Sequence, residues 1–572
     1  MAKKKKKMVE VLIEEMDFPN RTSGCILEGA PFDPIDHMLE IEPDRRKLAH
    51  GAPITTKGGI PGQIWHAQVK RTRGEKKEVI LRQLLERSPL EKHWGCPNVE
   101  RCGGCTYQTL SYDMEHFFKG AQMKKLYEEA GITNMVPLRR SPIHTGYRNK
   151  MEYSFGDQVQ DGELTLGLHR PGRFYEIVPT PRCRIVPEDF NRIRAEVEAF
   201  GRELGLSYYH KGRHSGFLRH LVVRASLTAR QLMVNLVTTS DDDMQAKDWK
   251  LFIARLRALP LEFSLVSVFH TTNDSVSDAV IPEKLELLYG QDYLEEKLFD
   301  LTFRVGPFSF FQPNVPGAEN LYARAVELAG DLQGKTVYDL YSGTGTLAQI
   351  MAKHAQRVVG VEIVEEAVEH ARKSAELNHL PNCSFRAADV YEELTRLAET
   401  RDYPDVVMLD PPREGVNPKA IEHILAAKPE RIVYISCNPL THVRDLRLFR
   451  QGGYQVKSVE AFDQFPRTKH IETVALLSKL DVDKHINIEI ELDELDLTSA
   501  ESKATYAQIK EYVWNKFELK VSTLYIAQIK RKCGIELREH YNKSKKEKQI
   551  IPQCTPEKEE AIMDALRHFK MI

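Results

Sequence analysis

The chain lacks any hydrophobic run long enough to cross a membrane. A membrane-spanning helix needs about 20 consecutive apolar residues, and no stretch of the 572 residues approaches that length. The segment after Met8, VEVLIEE, carries acidic residues where a signal peptide needs an uninterrupted apolar stretch. We therefore expect a cytoplasmic protein with no membrane partner.

Net charge is also almost absent. The 81 Lys and Arg residues against 82 Asp and Glu residues leave a formal charge of -1. Without an overall positive field, any affinity for nucleic acid must come from local basic patches. Residues 1–8 form one such patch, Lys3 to Lys7, which we interpret first as a solubilising basic tail.

Cysteine is sparse, and its arrangement is informative. Nine cysteines, an odd number, favour metal ligation or catalysis over disulfides in a reducing compartment. Cys96, Cys102 and Cys105 lie close together in CPNVERCGGC, and Cys183 in PTPRCRIVP is the best candidate for a fourth thiolate. Four thiolates without a nearby histidine suit either an all-cysteine zinc site or a [4Fe-4S] cluster. The spacing does not choose between them.

The stretch from Val337 to Glu362 has the order strand, glycine turn, helix, strand. The turn spans Tyr341 to Gly345, and the second apolar run ends at Glu362, about twenty residues after the glycines, where a carboxylate can bind ribose hydroxyls. The third glycine of a dinucleotide fingerprint is missing. The pattern therefore favours a bound nucleoside over a pyrophosphate.

Further polar residues follow the later predicted strands. Asp389, Asp410 and Cys437 each come just after an apolar run. Because ligands of open doubly wound sheets bind at the carboxyl ends of the strands, we expect these residues to share one edge with Tyr341 and Glu362. A cysteine after a strand is often only a small buried hydrophobe, but the polar SCNP turn favours a functional role.

Glu472 precedes a further apolar strand in the sequence HIETVALL. A carboxylate that heads a buried run is costly unless it is paired or used. A salt bridge to Lys469 or Arg467 is the structural alternative to a catalytic role.

The pattern divides the chain after the tail into four parts. Short strands and glycine turns over 9–88 predict a small β-barrel, and alternating strands and helices over 89–300 predict a central α+β domain. A doubly wound α/β domain follows at 301–480, and 481–572 forms a small α+β domain of unknown role. This last part contains an alternating strand, HINIEIELDEL, and a basic helix at Lys530 to Lys532. The helix suits nucleic-acid recognition, and the alternatives are a protein-docking domain or a merely stabilising one.

Two groups of basic and aromatic residues could contact nucleic acid. The first lies at a predicted hairpin tip of the barrel and could meet phosphates, with a merely solvated hairpin as the alternative: Lys70, Arg71, Arg73, Lys76 and Lys77. The second lies in the central domain and could line an RNA strand, with solvated arginines on a sheet surface as the alternative: Tyr147, Arg148, Arg170, Arg173, Arg219 and His220.

The motifs FQPN, DLYSGTG, LDPPREG, ISCNP and HIET, in this order after a barrel and four cysteines, resemble those of the RNA uracil-5-methyltransferases. The resemblance covers about Val9 to Leu480 and is closest to the 23S ribosomal RNA enzymes that carry an iron-sulfur cluster. It implies a multidomain α/β protein with a TRAM-like RNA-binding barrel, a central α+β domain with the cluster, and a Rossmann-like methyltransferase domain. The implied ligands of the [4Fe-4S] cluster are Cys96, Cys102, Cys105 and Cys183. The implied S-adenosylmethionine contacts are Gln312, Tyr341, Glu362 and Asp410, with Asp389 as a weaker addition.

The resemblance also implies the chemistry. C5 of uracil is too poor a nucleophile to take a methyl group unaided, so Cys437 would add to C6 and push electron density onto C5. Glu472 would then remove the C5 proton so that the thiol can leave. We expect a monomer that acts on 23S rRNA. Transfer RNA is the alternative substrate, and an RNA-binding iron-sulfur protein without methyl transfer is the alternative from another class.

Overall fold

The computed structural model describes residues 7–27, 51–92, 96–241, 243–277, 279–280, 282–479, 506–517, 519, 521–533 and 556–569. They fall into two compact units, Met1–Asp481 and Val482–Ile572. Most of the predicted basic tail and the whole predicted strand HINIEIELDEL lie outside the described residues. Among the described helices, none is long and apolar enough to cross a membrane.

The first unit begins with the small barrel that the sequence predicts. Five strands close in the order β1-β2-β3-β5-β4: β1 (Met8–Asp17), β2 (Arg21–Ile26), β3 (Pro53–Lys57), β4 (Ile64–Arg73) and β5 (Lys76–Glu86). Small and β-branched side chains fill it, among them Val11, Ile13, Ile54, Ala67 and Val79. Strands β4 and β5 form the predicted basic hairpin, with Arg73 opposite Lys76.

The segment that contains Cys96, Cys102 and Cys105, which we call the cysteine-bearing segment, leads into helix α1 (Tyr112–Glu129) and strand β6 (Met135–Arg139). Helix α1 begins where it does because the Ser111 hydroxyl accepts a hydrogen bond from the N–H of Met114 at 3.2 Å.

A seven-stranded sheet with two helices packed against it forms the central α+β part, with strand order β13-β12-β11-β10-β7-β8-β9. Its elements are β7 (Lys150–Gly156), β8 (Thr165–Arg170), β9 (Arg173–Pro179), α2 (Glu188–Glu203), β10 (Leu218–Ser226), β11 (Gln231–Thr238), α3 (Ala246–Ala258), β12 (Ser264–Thr272) and β13 (Lys284–Gly290).

This sheet corrects part of the predicted RNA surface. Tyr147, Arg219 and His220 are all buried. Arg219 donates hydrogen bonds to the carbonyls of Asn273, Ser275 and Ser277, so its guanidinium braces a loop. The prediction that these three residues line RNA was wrong, because the pattern does not reveal which positions later segments cover.

The last part of the first unit is an eight-stranded sheet in the order β18-β17-β16-β19-β20-β22-β21-β6, preceded by a two-stranded hairpin. The elements are β14 (Leu294–Leu298), β15 (Leu301–Val305), α4 (Val315–Ala329), β16 (Thr336–Leu340), α5 (Thr346–Ala352), β17 (Arg357–Glu362), α6 (Glu365–Leu377), β18 (Cys383–Ala387), α7 (Val390–Thr400), β19 (Val406–Leu409), α8 (Pro418–Ala427), β20 (Arg431–Ser436), α9 (Pro439–Gln451), β21 (Tyr454–Phe462) and β22 (Glu472–Lys479).

Both faces of this sheet are buried, as a doubly wound fold requires. Alternate residues of one strand enter two separate cores: Val406 and Met408 of β19 enter one, and Val407 and Leu409 the other. Strand β6 pairs parallel with β21 at the sheet edge. The sheet therefore uses a strand from within the range 89–300.

The second unit contains α10 (Tyr506–Phe517), α11 (Thr523–Lys532) and α12 (Pro556–His568). The helices share a small apolar core that includes Ile509, Val513, Ile526, Ile562 and Leu566. Lys530 is buried rather than exposed, so it is not part of the predicted basic surface.

Candidate active site

Five of the predicted site residues lie at one edge of the eight-stranded sheet. Strands β16 to β20 are mutually parallel, so their carboxyl ends meet there. This arrangement brings together Tyr341, Glu362, Asp389, Asp410 and Cys437. Strand β22 runs antiparallel to β20 with Thr473 opposite Ser436, so Glu472 starts its strand beside Cys437.

The glycine turn from Tyr341 to Gly345, which we call the glycine loop, has a strained backbone and is hydrogen-bonded to β17. Tyr341 has φ of 67°, in the left-handed region that a bulky residue rarely occupies. The N–H of Ser342 donates to the Val361 carbonyl at 2.9 Å. A Cβ at Gly345 would lie 2.5 Å from the Phe385 ring, whereas a Cβ at Gly343 would meet no described atom within 4 Å. The loop is therefore tightly packed against Phe385 at Gly345, whereas the space beside Gly343 is open.

Glu362 holds this loop and keeps capacity for a ligand. Its carboxylate accepts hydrogen bonds from the N–H groups of Gly343 and Val364, both at 3.0 Å. A carboxylate has about four lone-pair positions, so further donors such as ribose hydroxyls can still be accepted. The next two side chains, Ile363 and Val364, are exposed apolar groups at the same edge, a signal that the sequence reasoning did not use.

Asp389 has a structural role that accounts for its position. It is the N-cap of α7 and accepts a hydrogen bond from the Tyr391 N–H at 2.8 Å. Its contact with S-adenosylmethionine remains a prediction.

A group of acids with raised pKa values surrounds Cys437. Burial, followed by the charge of Asp410, raises the pKa of Glu472 to about 8. Burial raises the pKa of the Asp410 carboxyl to about 7. The Cys437 thiol is half-buried, and burial together with the charges of Glu472 and Asp410 raises its pKa to about 11. Perturbed acids of this kind, clustered at one edge, are typical of an active site.

Arg413 opposes these shifts, and no role was predicted for it. It is exposed on the loop after β19, and its positive charge lowers the pKa values of both Cys437 and Glu472. The start of α9 holds this loop, because Asn438 Nδ2 and Thr441 Oγ1 both donate to the Arg413 carbonyl, at 2.9 and 3.2 Å. The motif LDPPREG contains this arginine, which was the available signal.

Asp339, in the middle of the glycine-loop strand, was also missed. It is buried, and neither carboxyl oxygen forms a hydrogen bond of normal geometry within the described part of the chain. Burial and the charge of Asp410 raise its pKa well above the usual range, although the nearby backbone N–H of Ala348 opposes this shift. This carboxyl adds to the group of buried acids near Cys437.

Gln312 joins this group through a tyrosine. Its Nε2 donates to the Tyr322 hydroxyl at 3.0 Å. Burial, followed by the charges of Asp410 and Glu472, raises the pKa of Tyr322. Asn314, by contrast, caps α4 by accepting from the Gly317 N–H at 3.1 Å, which is a structural role.

The four predicted cluster ligands are brought together. Cys96, Cys102, Cys105 and Cys183 line one cavity. The Gly104 N–H donates to Cys102 Sγ at 3.4 Å. Burial and then the charges of neighbouring cysteines raise the pKa of Cys105 well above its usual range, and burial raises the pKa of Cys183 to about 11.

Within the described residues, which include these cysteines, no group of three or more His, Cys, Asp or Glu side chains is arranged so that it could hold a metal ion. The all-thiolate set fits a cluster in type, and the cluster itself remains a prediction.

Comparison with known families gives a match over much of the chain. A family model described as tRNA (Uracil-5-)-methyltransferase matches residues 178–480. An RNA methyltransferase of Caldanaerobacter subterraneus, itself described as uncharacterised, is 44% identical over 477 residues, which are 83% of this chain and 99% of that protein. A similarly described protein of Clostridium acetobutylicum is 42% identical over 428 residues, 74% of this chain and 92% of the relative.

A solved structure is also similar. The Pyrococcus abyssi tRNA (uracil-54, C5)-methyltransferase, in complex with S-adenosyl-L-homocysteine, aligns with 82% of this chain and 100% of its own at 25% identity, with a TM-score of 0.60.

Proposed function

Because the chain belongs to the RNA uracil-5-methyltransferase family and is an S-adenosylmethionine-dependent RNA methyltransferase, we propose that it methylates C5 of a uridine in 23S rRNA. The observation that carries the proposed chemistry is the position of Cys437 next to Glu472 at the sheet edge that holds the glycine loop.

Cys437 is the nucleophile. Its Sγ forms a bond to C6 of uracil, and the electron pair of the C5–C6 double bond moves toward C5 and the C4 carbonyl. Because the Cys437 pKa is raised to about 11 in the free protein, the thiol must lose its proton to solvent before the bond to C6 forms, and Glu472 stays available for the last step. The positive charge of Arg413 favours its ionisation, so Arg413 assists the first step.

S-adenosylmethionine, when bound, supplies the methyl group that C5 receives. Glu362 is positioned to accept hydrogen bonds from its ribose, while Gln312, Tyr341, Asp389 and Asp410 complete the proposed contacts.

Glu472 is the base of the last step. It takes the proton from C5, the C5–C6 double bond re-forms, and the bond between Cys437 and C6 breaks to release the thiolate. A base works best when its pKa lies near the working pH, and the Glu472 value of about 8 meets this condition. The target uridine must leave its base stack to reach both side chains.

The choice of RNA rests on resemblance. The N-terminal barrel together with four cysteines supports the 23S rRNA branch, with Cys96, Cys102, Cys105 and Cys183 holding a structural [4Fe-4S] cluster. Transfer RNA is the second candidate, favoured by the similarity to the Pyrococcus abyssi tRNA enzyme. We further propose a monomer in which 9–88 and 89–300 bind RNA, 301–480 carries out the chemistry, and 481–572 is an appended domain.

Trapping of the covalent intermediate tests the mechanism. Glu472→Gln is expected to accumulate a protein–RNA adduct that survives a denaturing gel, because the bond to Cys437 cannot be released. The matched control is the double variant Glu472→Gln with Cys437→Ala, which should give no adduct. If Glu472→Gln binds RNA and cofactor but traps nothing, Glu472 is not the base.

A further inference from the structure

The loop that leads into Glu472, residues 463–471, is anchored by charges that have no access to solvent. Lys119 of α1 places its Nζ 2.7 Å from Asp463 Oδ1, 2.8 Å from Glu115 Oε1 and 3.2 Å from the Phe465 carbonyl oxygen. The side chains of Lys119, Glu115 and Asp463 are fully buried. We call this loop the base loop, because its last residue precedes Glu472 by one peptide bond.

A second anchor comes from the segment that carries the cysteines. Directly after Cys105, the N–H groups of Thr106 and Tyr107 donate to the Arg467 carbonyl at 2.7 and 3.0 Å. Arg467 has φ of 71°, so its carbonyl and N–H are held in a conformation that costs free energy in isolation. Its N–H donates to Glu115 Oε1 at 2.6 Å.

The Arg467 side chain completes the connection. Its Nη1 donates to the Leu110 carbonyl at 2.9 Å and lies 3.4 Å from Glu115 Oε2. The base loop is therefore bound to residues 106–110 on one side and to α1 on the other.

Stability alone is a poor explanation for this cluster. Removing charges from water is costly, and well-packed apolar residues often stabilise a protein better. Burial lowers the pKa of Lys119, but the charges of Asp463 and Glu115 outweigh that effect and raise it overall. The ammonium is thus charged and directional, which suits the fixing of one loop conformation.

We propose that Lys119 is a positioning residue for the proton-removal step. Together with the Thr106 and Tyr107 amides it holds the base loop in place and so sets the position of Glu472. Because Thr106 and Tyr107 directly follow Cys105, the cysteine-bearing segment also helps to set this position. The inference rests on the proposed role of Glu472. Lys119 acts through the loop and does not reach the substrate. Loosening the clamp should slow proton removal more than formation of the bond to Cys437.

The first test uses Lys119→Met in the cluster-loaded full chain. Turnover should fall roughly tenfold to hundredfold, as expected when a catalytic group is displaced by a fraction of an ångström to an ångström. The protein–RNA adduct should accumulate during turnover, and Lys119→Arg should recover part of the rate. The control is Lys125→Met on the same helix, whose exposed side chain pairs with Asp17 at the surface.

A second variant guards against misfolding, since Lys119→Met leaves buried carboxylates without their cation. The double variant Lys119→Met with Asp463→Asn removes both charges and should show the same accumulation. Amide hydrogen exchange is the second readout: protection across 463–471 should fall in both variants. Cys105→Ala should also reduce protection there, because it disturbs the segment next to Thr106.

The outcomes separate the two proposals. If Glu472→Gln traps no adduct, the proposed role of Glu472 fails, and this inference fails with it. If Glu472→Gln traps adduct while the folded Lys119 variants lose rate without accumulating it, Lys119 has no positioning role. Unchanged exchange at 463–471 in Cys105→Ala overturns the contribution of the cysteine-bearing segment.

Discussion

Replacement of Glu472 by glutamine should stabilise the protein in a pH-dependent way. Glu472 is only 5% exposed, and burial raises its pKa from 4.5 to about 8. The folded protein therefore keeps a proton that the unfolded chain loses above pH 4.5, so this residue costs stability increasingly as the pH rises from 4.5 to 8. A glutamine has no proton to lose and avoids this cost.

The size of the effect follows from the shift. Each pKa unit corresponds to about 1.4 kcal/mol. At pH 7, about 2.5 units above the unfolded pKa, wild-type Glu472 costs at most ~3 kcal/mol of unfolding free energy. At pH 5 the cost is below ~1 kcal/mol. We expect Glu472→Gln to exceed wild type in stability by up to these amounts.

Urea denaturation of cofactor-free protein at pH 5, 6 and 7 measures this difference. The control is Glu399→Gln, an exposed position on α7, which should change the unfolding free energy little at any of these pH values. A gain for Glu472→Gln that is equal at pH 5 and pH 7, or a loss at pH 7, would refute the reasoning.

Three further changes probe the same edge of the sheet. Cys437→Ala should abolish methyl transfer but leave the calorimetric affinity for S-adenosylmethionine unchanged. Gly345 has φ of 77°, and the Cβ of Gly345→Ala would lie 2.5 Å from the Phe385 ring, so this variant should lose ~2–4 kcal/mol of unfolding free energy and bind the cofactor more weakly. Its control is Gly334→Ala, at φ of 74° with no atom within 4 Å of the added Cβ. The control should lose ~1–2 kcal/mol of unfolding free energy and leave cofactor binding unchanged. Arg413→Ala removes a charge that lowers two pKa values, so the rising limb of the pH–rate profile should move to higher pH.

Most strands of the eight-stranded sheet were predictable because each is an apolar run that ends at a polar residue. Apolar runs followed by Tyr341, Asp410 and Cys437 are local patterns, and parallel pairing then brings the ends together. Strand β6 could not be found in this way. It is short, and its partner β21 is more than 300 residues later in the chain, so only the tertiary structure assigns it to this sheet.

The site was predictable to the extent that its residues lie in recognisable motifs. Lys119 carries no local signal, since a lysine on a helix is usually solvated, and its burial depends on Asp463 and Glu115 meeting it in space. Arg219 shows the opposite error. A basic residue in this domain suggested an RNA contact, but the fold buries its side chain.

Mass spectrometry of 5-methyluridine tests the central claim most directly. Anaerobically purified protein and S-adenosylmethionine would be incubated separately with unmodified 23S rRNA and unmodified tRNA. We predict 5-methyluridine in 23S rRNA and none in tRNA. Methylation of tRNA alone would contradict the ribosomal assignment, and the absence of 5-methyluridine from both RNAs would contradict uridine methylation itself.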